Sequence, residues 1–133
     1  MQIIQAKLAD MYTSVQASRA ILYQGATSFD AGLKSNMDSS AIYLHNSRAA
    51  VQVADECIQL FGGNGYINEY PTGRFWRDAK LYDIGGGTKE IRQWLIGREL
   101  EKLYKQWEKR QADRQWLIDY VCVLLYLRFL VMK

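Results

Sequence analysis

Between Gln59 and Glu90 the chain reads QLFGGNGYINEYPTGRFWRDAKLYDIGGGTKE, a stretch holding seven of its ten glycines and its only proline. Glycine clusters of this kind interrupt regular structure, because each bare residue widens the choice of backbone angles. The sequence on either side has no comparable cluster, so the chain must fold as long elements joined here. Phe61-Gly62-Gly63-Asn64-Gly65 offers the left-handed residues wanted just past a helix C-terminus. Pro71 suits the first turn of a new helix, PTGRFWRDAKLYDI, where a missing N–H costs nothing. Gly85-Gly86-Gly87 ends that helix. Thr88 then caps the next one, with Glu90 in its first turn, where negative charge is favoured. Free N–H groups at such a helix start favour an anion such as a phosphate.

Outside this stretch the apolar spacing is helical. From Gln2 to about Gln24, Ile4, Leu8, Met11, Val15 and Leu22 recur at helical steps, with Ser18 filling the remaining turn. Gly25 to Gly32, with Thr27, Ser28 and Asp30 between, marks a connection. A second helix is predicted from about Asp30 to Leu60. Ile42, Ala49, Val53, Cys57 and Leu60 make one stripe on it, and Leu44, Val51 and Ile58 another, which predicts a helix sandwiched between neighbours. His45, Asn46 and Gln52 need polar partners if they are buried. The last principal helix starts at Thr88 and carries Ile91, Leu95, Leu100, Leu103 and Trp107. One proline and few β-branched clusters argue against a sheet. The expected fold class is all-α, an antiparallel bundle with principal helices near 2–24, 30–60 and 88–110.

Several function classes are excluded. At 133 residues with 49% apolar content there is room for one domain, or a domain plus a tail. The net charge is only +3, and the densest basic run, EKLYKQWEKRQADR at 101–114, alternates in sign. That is a solvated helix face and not a nucleic-acid surface. Cys57 and Cys122 form no C-x-x-C pair, which points to free thiols in a reducing compartment. His45 is the only histidine, so no zinc-like ligand set exists, and it falls on a different helix face from Cys57. The N-terminus shows neither a signal nor a transit pattern. GGNG fails the spacing of a dinucleotide fingerprint, and GGGTK fails the order of a P-loop. Arg74, Arg77, Asp78, Lys80 and Asp83 interleave with Phe75, Trp76, Leu81 and Tyr82, as in a helix with an apolar face and intrahelical ion pairs. The end of the chain, WLIDYVCVLLYLRFLVMK, is apolar almost all round, yet Asp119 and Arg128 leave only Tyr120 to Leu127 uninterrupted. A membrane span needs about 20 apolar residues, and a central charge costs ~2.5–3.5 kcal/mol. The tail from Trp116 is therefore read as a helix folding back on the bundle, or an unselected extension, and not as a membrane anchor.

The segments QLFGGNGY at 59–66, GRFWRDAKLYDIGGGT at 73–88, IGRE at 96–99 and MQIIQAKLADMYT at the start together resemble one family. They are similar to the C-terminal part of the acyl-CoA dehydrogenases, flavoproteins that oxidise acyl-CoA thioesters at the α,β carbons, and most of all to the isovaleryl-type branch. The likeness runs from Met1 to about Leu100. It implies a bundle of the family's C-terminal type over 1–100, incomplete at its N-terminus, followed by a helical, apolar tail over 101–133 that does not resemble the family. Family members are much longer, so the resemblance implies a fragment or a shortened gene product.

The resemblance also implies site residues. Gln2 matches a flavin-contacting position. Gln59, Leu60, Phe61, Gly62 and Gly63 match positions that reach FAD bound largely by another subunit, and Thr88, Lys89 and Glu90 match positions along its adenosine end. From the residues alone a helix-capping turn is the readier explanation of the glycine cluster; the resemblance favours a ligand site. Lys89 replaces a smaller polar residue, so its contact is expected through the main chain. Gly86 and Gly87 match substrate-facing positions. Most members carry their catalytic base at the first of these, as the glutamate of a Tyr-Glu-Gly-Thr segment. The isovaleryl-type enzymes place it instead on a helix that precedes the position of Met1, so no catalytic residue is assigned in this chain. The implied partners are an acyl-CoA substrate, electron-transferring flavoprotein, and further subunits, as a homo-oligomer or with full-length relatives. The implied setting is the mitochondrial matrix. Two functions compete. One is the C-terminal part of a dehydrogenase acting on a short branched acyl-CoA in leucine catabolism, inactive alone. The other is a non-enzymatic module that docks onto full-length subunits.

Overall fold

The computed structural model describes residues 2–112. Five helices follow one another in the order α1 (Gln2–Asp30), α2 (Asn36–Phe61), α3 (Gly63–Tyr66), α4 (Thr72–Gly85) and α5 (Lys89–Ala112), with no strand among the described residues. The chain divides into two compact units, Met1–Ile96 and Gly97–Lys133.

In the first unit α2 is the centre, packed against α1 on one side and against α3 and α4 on the other. Both pairings are antiparallel. Lys7 pairs with Glu56 near one end of the α1–α2 pair, while Gly25 meets Ile42 near the other. Tyr43 reaches Tyr82 and Ser47 reaches Asp83, while Phe61 lies against Tyr70 at the far end of the α2–α4 pair. The sandwiched position expected for α2 is what the structure has, and the fold is the expected antiparallel, all-α bundle.

The seams are lined by small groups. Ala49 and Ala54 are the buried apolar residues, and Ser40, Ser47, Thr72 and Asp83 are buried beside them. The larger apolar side chains lie at the margins: Leu8, Val15 and Leu22 along α1, and Phe75, Leu81 and Tyr82 on α4, are all exposed. The apolar face expected on α4 is therefore not buried in this chain. The ion pair expected within that helix is present, with Lys80 Nζ 2.7 Å from Asp83 Oδ2.

Two helix boundaries differ from the sequence reading. α1 does not end at Gly25 but runs on to Asp30, and the connection is confined to the residues around Gly32, whose φ is +83°. Gly25 acts through space: a Cβ there would run into Ile42 Cδ1, so the missing side chain lets α1 and α2 approach. α2 correspondingly starts at Asn36 and not near Asp30, because Ser35 caps it, accepting the Asp38 N–H at 3.1 Å. The single turn α3 inside the glycine-rich stretch was not expected either. Asn46 does not meet the stated need for a partner at its oxygen: among the described residues the buried Oδ1 has none, and neither has Ser18 Oγ. His45 and Gln52 are exposed and need none.

In the second unit the described part of α5 carries short-range ion pairs, Lys102 to Glu99 at 2.7 Å and Lys105 to Glu101 at 2.6 Å, as expected for a solvated face. No helix among the described residues is long and apolar enough to cross a membrane. The reading of the tail from Trp116 onward falls outside the described residues.

Candidate functional site

The first group of expected ligand residues gathers at one end of the bundle. Gln59, Leu60 and Phe61 form the last turn of α2, which ends at Gly62 with φ +57° and ψ −135°. That φ is open to glycine and strained for other residues. The Gly62 N–H donates to Gln59 O at 3.2 Å and closes the helix. One turn later Gly65 is buried against the Ile58 carbonyl, where a Cβ would collide with backbone. Thr72, only 2% exposed, fixes the return of the chain by donating its hydroxyl to Gly65 O at 3.0 Å. Phe61 and Tyr70 meet edge to face, 5.6 Å between ring centroids. By the antiparallel register of α1 and α2, Gln2 starts α1 at this same end. A side chain added at Gly62 or Gly63 would meet nothing within 4 Å. The main chain is therefore open from outside at these two residues.

The second group lies at the opposite end of the α2–α4 pair. α4 stops at Gly85, and Gly86, Gly87 and Thr88 lead into α5. Thr88 is the cap the sequence predicts: its carbonyl accepts the Arg92 N–H at 3.0 Å and its Oγ1 accepts the Ile91 N–H at 3.4 Å. The helix start is less open to an anion than expected. The Glu90 carboxyl is held below the usual range by its own backbone N–H and, further, by the Thr88 hydroxyl and Lys89, so a carboxylate already sits among these donors.

Gly86 and Gly87 are glycines for different reasons. Gly87 has φ +94°, which other residues resist. Gly86 has φ −89° and ψ 22°, angles open to any residue. What forbids a side chain at 86 is Tyr43 of α2, since a Cβ built there falls inside the phenol. The Tyr43 hydroxyl donates to Tyr82 O, and the Arg92 guanidinium lies over the ring, 4.7 Å from its centroid. Arg92 Nη2 also donates to Gly86 O.

The structure does not bring the two groups together. Tyr43 lies beside Gly86 and Phe61 beside the other turn, and the eighteen helical steps of α2 from one to the other span about 27 Å at 1.5 Å per residue. Beside the second end runs an open, mostly apolar groove of about 520 Å³ between α1, α2 and α4, lined by Leu22, Gly25, Ile42, Tyr43, Asn46 and Tyr82 among others. No cluster of His, Cys, Asp or Glu among the described residues could hold a metal ion.

Comparison with known proteins places this arrangement. The family described as acyl-CoA dehydrogenase, C-terminal domain, matches residues 1–101. The chain belongs to the acyl-CoA dehydrogenase family. Isovaleryl-CoA dehydrogenase, mitochondrial, of Solanum tuberosum is 56% identical over 101 residues, which are 76% of this chain and 24% of that protein. The 2-methylacyl-CoA dehydrogenase, mitochondrial, of the same plant is 55% identical over 101 residues, with the same shares covered. Among solved structures, butyryl-CoA dehydrogenase of Megasphaera elsdenii superposes with a TM-score of 0.72 at 37% identity, over 75% of this chain and 26% of that one. The chain thus spans about a quarter of the length of the relatives it matches.

In this acyl-CoA dehydrogenase domain two residues escape a sequence reading. Tyr43 and Arg92 meet only because antiparallel packing brings α2 to the α4–α5 turn, and no local motif marks either. Asp83, read as part of an intrahelical ion-pair pattern, does pair with Lys80, and in addition it is only 6% exposed and takes a hydrogen bond from Ser47 across the seam.

Proposed function

We propose that the chain is the C-terminal helical wall of a flavin-dependent acyl-CoA dehydrogenase acting on a short branched acyl-CoA, isovaleryl-CoA in the first instance, within leucine catabolism. Residues 1–100 make the domain, and 101–133 a tail outside it. The observation that carries this reading is glycine main chain at both ends of the α2–α4 pair, open at Gly62–Gly63 and packed against Tyr43 and Arg92 at Gly86–Gly87, in a domain 56% identical to an isovaleryl-CoA dehydrogenase.

FAD, when bound, supplies the acceptor for hydride from the β carbon. The chain's own part is to hold and orient. Gln2 and the turn from Gln59 to Gly63 lie against one flavin molecule, held largely by another subunit. Thr88, the Lys89 main chain and Glu90 lie along the adenosine end of a flavin at the other end, with Gly86 and Gly87 toward the thioester. About 27 Å of helix separates the two ends, so they serve different cofactor molecules in an assembly of subunits. Position 86 carries no carboxylate, and removal of the α proton is assigned to a glutamate outside these 133 residues. The electron acceptor is electron-transferring flavoprotein, in the mitochondrial matrix.

A wall without the rest of its site binds weakly, because ordering loose groups costs affinity. The purified chain is expected to lose added FAD on gel filtration and to show no reduction of an artificial acceptor by isovaleryl-CoA. Stoichiometric flavin or turnover in the chain alone overturns the proposal. A second reading, a non-enzymatic module that docks onto full-length relatives, is favoured by the exposed Leu8, Val15 and Leu22. Mixing the chain with a full-length relative separates the two: docking without any change in flavin content or activity supports the second.

A further inference from the structure

Position 86 matches the place where most of the family carries a carboxylate, yet the backbone there would accept any residue. The structure gives a local reason for the glycine. The Tyr43 phenol stands in the volume where a side chain at 86 would begin, with both Oη and the outer ring carbons inside contact distance of a Cβ. A phenol at the end of a free side chain could swing aside. This one is held at two points: its hydroxyl donates to Tyr82 O, and the Arg92 guanidinium covers its ring at 4.7 Å.

The same contacts close the end of α4 from outside. A helix leaves its last carbonyls without intrahelical partners. Here Tyr82 O takes the hydroxyl of Tyr43 from α2, and Gly86 O takes Nη2 of Arg92 from α5. A cation at a helix C-terminus is favourable by charge as well. Two side chains from neighbouring helices thus grip the Gly85–Gly87 turn through these two carbonyls.

We propose that Tyr43 is the positioning residue of this turn. It takes the volume of a side chain at 86, so that the main chain of the turn lies directly against the phenol. With Arg92 across its ring, it fixes the course of the turn into α5 through the Tyr82 and Gly86 carbonyls. The ligand assigned to the turn, a flavin–thioester pair, rests on the function proposed above; the exclusion between Tyr43 and a side chain at 86 does not.

Unfolding of the full chain tests the exclusion, using wild type, Gly86→Ala, Tyr43→Ala and the double variant. Gly86→Ala is expected to lower the unfolding midpoint in the wild-type background and to leave it unchanged in the Tyr43→Ala background. Equal losses in the two backgrounds overturn the proposal. Should Tyr43→Ala fail to fold, Tyr43→Leu takes its place in the cycle. Amide hydrogen exchange tests the positioning. Tyr43→Phe keeps the ring and loses the hydroxyl, and is expected to speed exchange at Gly86, Gly87 and Thr88 about five-fold, the size of one ordinary hydrogen bond, with α1 unchanged. Unaltered exchange at those three residues in both Tyr43→Phe and Tyr43→Leu overturns it. Added FAD, followed by its visible absorption, then reports on the ligand: a spectral change in wild type that Tyr43→Phe weakens about five-fold and Tyr43→Leu removes supports both. An absent flavin response in wild type sinks the functional reading, while the exchange and unfolding results still decide the role of Tyr43.

Discussion

Ser47 of α2 donates its hydroxyl to Asp83 Oδ1 of α4 at 3.4 Å, inside a seam where both residues are buried. Lys80 holds the other carboxylate oxygen at 2.7 Å. The hydrogen bond from Lys80, working against burial, holds the Asp83 carboxyl below its ordinary value of 3.8. A carboxylate depressed in the folded state stabilises above its unfolded pKa, and that contribution is lost as pH falls through the folded value. Asp83→Asn is expected to cost about 1.5–3 kcal/mol at neutral pH, the range for hydrogen bonds to a charged group. Urea midpoints of wild type and variant should converge below about pH 4. A gap that persists unchanged at pH 2 contradicts this.

Gly25 tests whether α1 and α2 touch as described. Gly25→Ala removes a weak helix residue, worth about 1 kcal/mol in an open helix, but places a methyl group against Ile42 Cδ1. Gly25→Leu puts more bulk at the same contact and is expected to cost about 1–3 kcal/mol. Combining it with Ile42→Ala should recover most of that loss in thermal unfolding. No recovery would mean that α1 meets α2 elsewhere.

Ser35 fixes the start of α2. Ser35→Ala is expected to cost about 1 kcal/mol and Ser35→Gly only a few tenths. Circular dichroism melts of the two variants give the comparison, and equal effects would remove the cap from the account.

Gly86→Glu restores a carboxylate at the family's usual place and is nevertheless expected to give no turnover of isovaleryl-CoA with added FAD. Its side chain has to displace the Tyr43 phenol, so the variant should also unfold at lower temperature than wild type. A full-length relative serves as the positive control. Acceptor reduction by the variant would show that the carboxylate finds both space and flavin.

The exposed apolar row on α1 favours association. Leu8, Val15 and Leu22 are 51, 41 and 52% exposed, and sedimentation velocity should show species larger than a monomer. Val15→Glu together with Leu22→Glu should shift the distribution toward monomer without loss of helix content. A wild-type chain that is monomeric at all concentrations contradicts this.

Much of the architecture was legible in the sequence, and the reasons are local. The period of Ile4, Leu8, Met11 and Val15 and the cap at Thr88 act within a few residues, so spacing alone reveals them. Gly25 misled because a glycine reads as a break when only its backbone freedom is considered, and its use here is close packing. The ends of the site were legible as glycine clusters. Their separation was not, since it depends on α2 and α4 running antiparallel. Tyr43 and Arg92 were invisible for the same reason: each is an ordinary residue on its own helix and acquires its role from a partner far away in sequence.

The buried residues of α2 are Ser40, Ser47, Ala49 and Ala54. Volume at these positions sets how near its neighbours can lie, and a close-packed seam has no slack to absorb even one extra methylene group. Random drift should therefore be read unevenly along the chain. A saturation library selected for folding would keep only glycine, alanine, serine and similarly small residues at those four sites, while the large apolar positions of α1 tolerate wide exchange in the isolated chain. Bulk marks the core in most domains; here the sites most intolerant of change would be among the smallest.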